Sequence, residues 1–260
     1  MASEIETRLS VDGRDIAVRA LAGGSPGVIW LGGFRSDMTG TKAQALADWA
    51  QARGQGYVRF DYSGHGASSG AFEDGTITQW LADARAVFDQ TTGPQVLVGS
   101  SMGGWMALLL ARALLAAGDT RLAGLVLIAP APDFTEELMW AGFPEAVKAE
   151  ILATGRYARP SPYDGGPFVI TRALIEDGRQ HLLLGAPFQV GCPVRILQGA
   201  QDADVPWQHA MRLVTCLAED DVVFTLVKDG DHRLSRPADI ERLIGLLDDL
   251  LAELAADAAR

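Results

Sequence analysis

The stretch VLVGSSMGGW, Val96 to Trp105, sets two serines among three glycines, with the apolar run QVLV (95–98) leading into it and WMALLLARALLAA (105–117) running on from its last residue. Gly99-Ser100-Ser101-Met102-Gly103 fits the pattern G-x-S-x-G with Ser101 at its centre. Ser100 cannot take that place, because Val98 would then stand where a glycine is needed. The pattern asks for a sharp, strained turn from strand to helix that lifts one side chain above a sheet, so its neighbours must carry little or no side chain. The competing reading is a glycine-rich helix start that merely packs closely, and the rest of the chain has to decide between the two.

Short runs rich in Val, Ile and Leu recur on both sides: GVIWL (27–31), YVRFD (57–61), QVLVG (95–99), LAGLVLIA (122–129), PVRILQG (193–199) and DVVFTLVK (221–228). Continuous apolar runs are what strands covered on both faces of a parallel sheet look like. Residues 4–21, with VDGRD as a turn between two alternating stretches, predict a leading hairpin, which brings the strands to eight. Helix-period segments lie between the runs. In the first, Ala43, Leu46, Trp49 and Ala50 share a face, with Thr39 or Thr41 to cap it and Gly54 to stop it. Alternation of this kind predicts an α/β domain with helices on both faces of a mostly parallel sheet. From Ala131 to Val190 the strand signal vanishes and Pro-rich turns (PAPDF, RPSPYDGGP) separate helical pieces, so a helical cap inserted into a single domain spanning 1–260 is expected.

With 48% hydrophobic and 21% charged residues the chain has the balance of a globular protein. Its formal net charge of −11 argues against affinity for nucleic acid or an anionic membrane surface. Cys192 and Cys216 have neither neighbouring ligands nor zinc-site spacing, and are expected to be reduced and structural, so no metal is called for. The first twenty residues lack an apolar run and carry Glu and Asp, and the longest apolar run is broken by Arg112; a cytoplasmic protein that does not insert into membranes is expected.

A serine hydroxyl needs a base to take its proton, and the base needs a carboxylate to orient it. On a strand–turn–helix scaffold the partners should follow in the order Ser, Asp or Glu, His. ILQGAQDADVPW places Asp202 just past a predicted strand, and LVKDGDHRLS places His232 in the loop after the last one. Of the other histidines, His181 falls in the insert, His209 on the helix after the acid, and His65 in the loop DYSGHGASSG, where it stands as a rival base. Asp204, two residues past Asp202, is placed as a cap for the helix opening at Pro206 or Trp207. Donors for an oxyanion are expected from the N–H of Met102, at the start of the helix after Ser101, and of Phe34, in the loop WLGGFRSD.

The chain resembles the α/β-hydrolase superfamily in its serine esterase branch. More closely, it is similar to the family of the animal mitochondrial palmitoyl-protein thioesterase that also cleaves the acyl glucuronide of mycophenolic acid. The similarity rests on GTKA (40–43), RFDYSGHGASSG (59–70), GPQVLVGSSMGGW (93–105), CPVRILQGAQDADVPW (192–207) and DHRLSRPADI (231–240). It implies an α/β-hydrolase fold with Ser101 as nucleophile, Asp202 as acid and His232 as base. The superfamily's frequent His-Gly before the oxyanion residue is Gly32-Gly33 here.

These readings converge on a cofactor-independent serine hydrolase of small-molecule carboxylic esters or thioesters. Lactonase or perhydrolase activity would use the same residues, and a non-catalytic receptor or scaffold is the alternative from another class. Phe134, Leu138, Met139, Trp140 and Phe168 are expected to line an apolar acyl pocket in the cap, or else to fasten the cap to the sheet.

Overall fold

Strand order in chain sequence is β1 (Ile5–Val11), β2 (Arg14–Leu21), β3 (Gly24–Leu31), β4 (Gln55–Phe60), β5 (Gln95–Ser100), β6 (Leu122–Ile128), β7 (Arg156–Arg159), β8 (Phe168–Thr171), β9 (Val194–Gly199) and β10 (Val222–Val227). The helices are α1 (Thr41–Arg53), α2 (Ile77–Asp89), α3 (Met102–Ala116), α4 (Glu145–Thr154), α5 (Arg172–Gly178), α6 (Trp207–Cys216) and α7 (Pro237–Ala258). The computed structural model describes residues 3–159 and 168–258; apart from Arg159, the turn RPSPYDGGP expected in the insert lies outside the described residues.

Eight strands form one sheet in the order β1-β2-β4-β3-β5-β6-β9-β10. The leading hairpin is antiparallel, and β2 runs antiparallel to β4; every later pairing is parallel. Asp12 and Gly13, with φ of 47° and 80°, make the tight hairpin turn whose twist matches that of the strands. This is the α/β-hydrolase fold.

Side-chain alternation divides the core in two. Val28, Trp30, Val96, Val98, Val126 and Ile128 face α1 and α7, where Leu46, Trp49, Leu243 and Leu247 meet them. The intervening Ile29, Leu31, Leu97, Leu125 and Leu127 face α2 and α3, against Trp80, Val87, Trp105 and Leu108. A strand that is apolar at every position therefore serves two opposite helix layers. The expected face of α1 is buried, and Gly54 ends the helix in a left-handed conformation, its N–H bonded to the Ala50 carbonyl. The expected threonine cap is absent: Gly40 is the N-cap and makes no side-chain bond, because Thr39 bonds Asp37 instead.

The segment between β6 and β9 corrects the expectation of a strand-free insert. β7 and β8 pair as an antiparallel two-stranded ribbon, Arg156 opposite Thr171 and Arg159 opposite Phe168. Each has four residues, too few to show a period of two, and RYAR alternates nothing a hydrophobicity pattern would register. Around the ribbon lie α4, α5 and a wide π turn, Thr135–Trp140. Polar bonds tie the two ends of this cap together and fasten it to the body. The buried Asp133 carboxylate accepts the N–H groups of Leu183 and Leu184, and Asp177 accepts the N–H and hydroxyl of Thr78 on α2.

Candidate active site

The turn at Ser101 has the strain its sequence predicts. Ser101 adopts φ 55°, ψ −117°, a conformation that costs a non-glycine residue roughly 1–3 kcal/mol and persists only where its surroundings enforce it. Here the Ser101 N–H donates to the Ile128 carbonyl at 2.9 Å, while its own carbonyl accepts from Gly104 and Ala131. A methyl group on Gly99 would lie 2.4 Å from the Gly103 carbonyl oxygen, and one on Gly103 would lie 2.0 Å from the Leu31 carbonyl oxygen. The glycines are thus required by close backbone approach between β5, α3 and the end of β3.

Two strands to the side, Asp202 leaves the C-terminal end of β9 and His232 the loop after β10. His232 Nδ1 is 2.8 Å from Asp202 Oδ2, and His232 Nε2 is 3.1 Å from Ser101 Oγ. The carboxylate can only accept, so Nδ1 carries the proton and Nε2 offers its lone pair to the serine hydroxyl. Asp202 is itself held on all sides. Oδ1 accepts the N–H groups of Asp204 (2.9 Å) and Val205 (2.7 Å), and Oδ2 accepts Gln198 Nε2 at 3.2 Å.

Gln198 is a supporting residue of this cluster that the sequence does not single out. It is wholly buried in β9 and also donates to the Val205 carbonyl, tying the strand to the loop that carries Asp202. Its signal was available: a polar amide inside the apolar run VRILQG. Lys42 is another, from the GTKA stretch. Its ammonium donates to the Arg233 carbonyl and Ser235 Oγ, pinning the loop of His232 to α1. Burial, with Arg233 nearby, brings its pKa down to about 8.

Asp204 does not cap α6 as expected. Pro206 occupies the N-cap of a helix that opens at Trp207, and Asp202 accepts the N–H groups of Asp204 and Val205 just before it. The exposed Asp204 carboxylate lies near Asp202 and His232, so that the three residues offer oxygen and nitrogen atoms within 4.8 Å of one another. Such a group could approach a cation, but two of its three members are already bonded to each other.

The loop after β3 closes against the serine. Gly33 packs beside it, a methyl there falling 3.5 Å from Ser101 Cβ, and Ser36 N–H bonds the Gly33 carbonyl at 3.1 Å. Phe34 is therefore the second residue of a tight turn abutting Ser101, and Met102 is the first residue of α3, where helix N–H groups lack intrahelical partners. Phe34's ring is half-buried among Phe72, Trp80, Phe134 and Phe168, with centroids 4.9–5.9 Å away.

The expected acyl-pocket residues divide. Phe134 and Met139 are buried in the core shared with α3, which fits fastening. Trp140 turns to Arg179 and Lys148, whose charged ends lie 5.1 and 5.9 Å from its ring. Phe168 stands half-buried beside Phe34. The remaining histidines are engaged elsewhere: His181 bonds Thr78, His209 bonds the Pro132 carbonyl, and His65 bonds Ser63 and Arg35.

Residues 22–243 match the alpha/beta hydrolase family, and the chain belongs to it. Within it, the chain is 37% identical to the mouse protein named palmitoyl-protein thioesterase ABHD10, mitochondrial, over 93% of this chain and 80% of that one. The human counterpart is 36% identical over 93% and 78%. Among solved structures, one from Agrobacterium vitis S4 superimposes with a TM-score of 0.92 at 49% identity, covering 95% of this chain and 99% of the other. Mouse alpha/beta hydrolase domain-containing protein 10 superimposes at 0.86 with 35% identity, over 96% and 99%. The expected cytoplasmic location is overturned by these relatives, whose names read mitochondrial. It rested on composition near residue 1, and the composition of a folded domain carries no address. Among the described residues no helix is long and apolar enough to cross a membrane.

Proposed function

We propose that the protein is a serine hydrolase that cleaves acyl thioesters and carboxylic esters through an acyl-enzyme on Ser101. The observation that carries this reading is the unbroken hydrogen-bonded chain from Asp202 through His232 to Ser101, ending on a strained turn that presents the hydroxyl. His232 Nε2 takes the serine proton as Oγ attacks the acyl carbon. The N–H groups of Phe34 and Met102 meet the oxygen on which charge develops, and His232 passes its proton to the departing thiolate or alkoxide. Water then repeats the sequence on the acyl-enzyme. Asp202 holds the tautomer and offsets the charge of the imidazolium.

The thioester preference is supported by the name of the mouse and human relatives, matched over 93% of this chain. The acyl chain would lie on the half-buried aromatic surface of Phe34 and Phe168, which adjoins the serine and the cap together. A fluorophosphonate probe followed by peptide mapping should place its adduct on Ser101, and hydrolysis of matched oxyesters and thioesters from acetyl to decanoyl should favour longer thioesters. An adduct on Ser100, or none, would overturn the nucleophile; indifference to acyl length would overturn the aromatic surface.

A further inference from the structure

The loop DYSGHGASSG lies outside the acid–base chain, yet it is built with unusual care. Asp61 at its start accepts the N–H groups of Met38 and Ala67, and Ser68 Oγ bonds the Asp61 carbonyl. Gly64 and Gly66 take left-handed conformations, and a methyl on Gly66 would collide with the Asp61 carboxylate at 2.1 Å. This coil delivers one side chain inward, that of His65, which is 4% exposed.

The ring of His65 sits edge-on to Phe72 and Trp80, each 5.2 Å from it. Its Nδ1 is 3.2 Å from the Ser63 carbonyl oxygen, an acceptor only, so Nδ1 bears the proton. Nε2 is then a lone pair, and the Arg35 N–H donates to it at 3.2 Å. With both nitrogens engaged, His65 has no free atom with which to act as a base on Ser101. Burial lowers its pKa, which keeps the ring in the neutral form that can accept.

Arg35 is the third residue of the turn Gly33–Ser36 and has φ 58°, where glycine or asparagine is the usual occupant. Such a peptide does not hold itself in place. We propose that His65 is a positioning residue: by accepting the Arg35 N–H it holds the turn 33–36 in the form that aims the Phe34 N–H at the substrate oxygen. The Arg35 guanidinium, 4.4 Å from the Phe168 ring, fastens the same residue to the cap from the other side. The proposal rests on the oxyanion role given above to Phe34.

Three measurements test it. In the unmodified protein, ¹⁵N NMR of the imidazole should show His65 neutral with the proton on Nδ1; a proton on Nε2 would overturn the proposal without any variant being made or any substrate being known. Next, His65→Leu should lower kcat about 10²-fold, the effect of a misplaced oxyanion donor, and weaken a trifluoromethyl ketone analogue of the tetrahedral state by the same factor, with KM within about twofold. His65→Gln, whose amide oxygen can reach the position of Nε2, should recover most of both losses. Equal losses in the two variants, or an unchanged kcat in His65→Leu, would overturn it. Finally, Arg35→Gly introduced into His65→Leu should restore activity, since glycine takes φ 58° without support. Fluorophosphonate labelling of Ser101 in every variant separates a failure of this proposal from a failure of the serine hydrolase reading.

Discussion

The sheet body and the cap solve opposite problems with different materials. In the body, the side chains above and below the central strands are mostly apolar, glycines permit backbones to touch, and Ser101, Asp202 and His232 follow three parallel strands at the same edge. In the cap, a few apolar anchors such as Phe134 and Met139 are joined by single polar devices: Asp133 on two N–H groups, Asp177 on Thr78, Glu136 with Arg179, and Glu137 with Arg212 on α6. Of these carboxylates, only Asp133 is fully buried. With apolar anchors such as Phe134 and Met139 beneath and mostly exposed polar contacts around them, this region can alter its outer surface toward a ligand while the proposed chemistry beneath stays fixed.

This contrast can be broken by substitutions that should act on one region alone. The largest effect is expected in the body. Asp202→Asn should lower kcat by about 10³- to 10⁴-fold, because the amide no longer enforces the Nδ1–H tautomer of His232. Asp204→Asn, with its exposed side chain, should change kcat by less than about tenfold. Steady-state kinetics of the pair, with unfolding midpoints alongside, would identify the acid; a collapse in Asp204→Asn beside a nearly normal Asp202→Asn would reverse the assignment.

In the cap the expected damage is to stability. Asp133→Ala leaves the N–H groups of Leu183 and Leu184 buried without an acceptor, at a cost of about 2 to 4 kcal/mol. Thermal melting should fall by several degrees while kcat stays within about threefold. A large kcat loss with unchanged melting would show that cap and chemistry are not separable.

The smallest effect concerns the pin between α1 and the His232 loop. Lys42 titrates near 8 in the folded chain against the ordinary 10.5, so between those values the unfolded chain binds more protons. Stability must then rise with pH across that window. Urea midpoints of the protein and of Lys42→Met at pH 7, 8.5 and 10 should diverge in favour of the unsubstituted chain as pH increases. A constant difference would mean that Lys42 is ordinarily solvated.

Much of the body was legible because its rules are local. Continuous apolar runs announced buried parallel strands, Asp12-Gly13 announced a hairpin, and G-x-S-x-G between a strand and a helix announced a strained turn. The order of Ser101, Asp202 and His232 along the chain follows from the same scaffold. What escaped depended on partners far away in sequence. Gln198 matters because a loop folds back over it, and Lys42 because the loop of residue 232 arrives beside α1. Asp204 is read as a helix cap, a position that Pro206 fills. β7 and β8 escaped for another reason: four residues do not make a pattern, and their pairing is a property of the two together.

The arrangement of the sheet also imposes a timetable on biosynthesis. Ser101 follows β5 directly, but Asp202 is placed only after β9 docks on β6 across the whole cap segment, and His232 only after β10 docks on β9. The serine and its proposed base are 131 residues apart. At ordinary translation rates that separation lasts about 7 to 26 seconds. Through that interval a growing chain displays its serine with no partner to take the proton, so the nascent protein passes most of its synthesis chemically silent among the esters and thioesters of the cell.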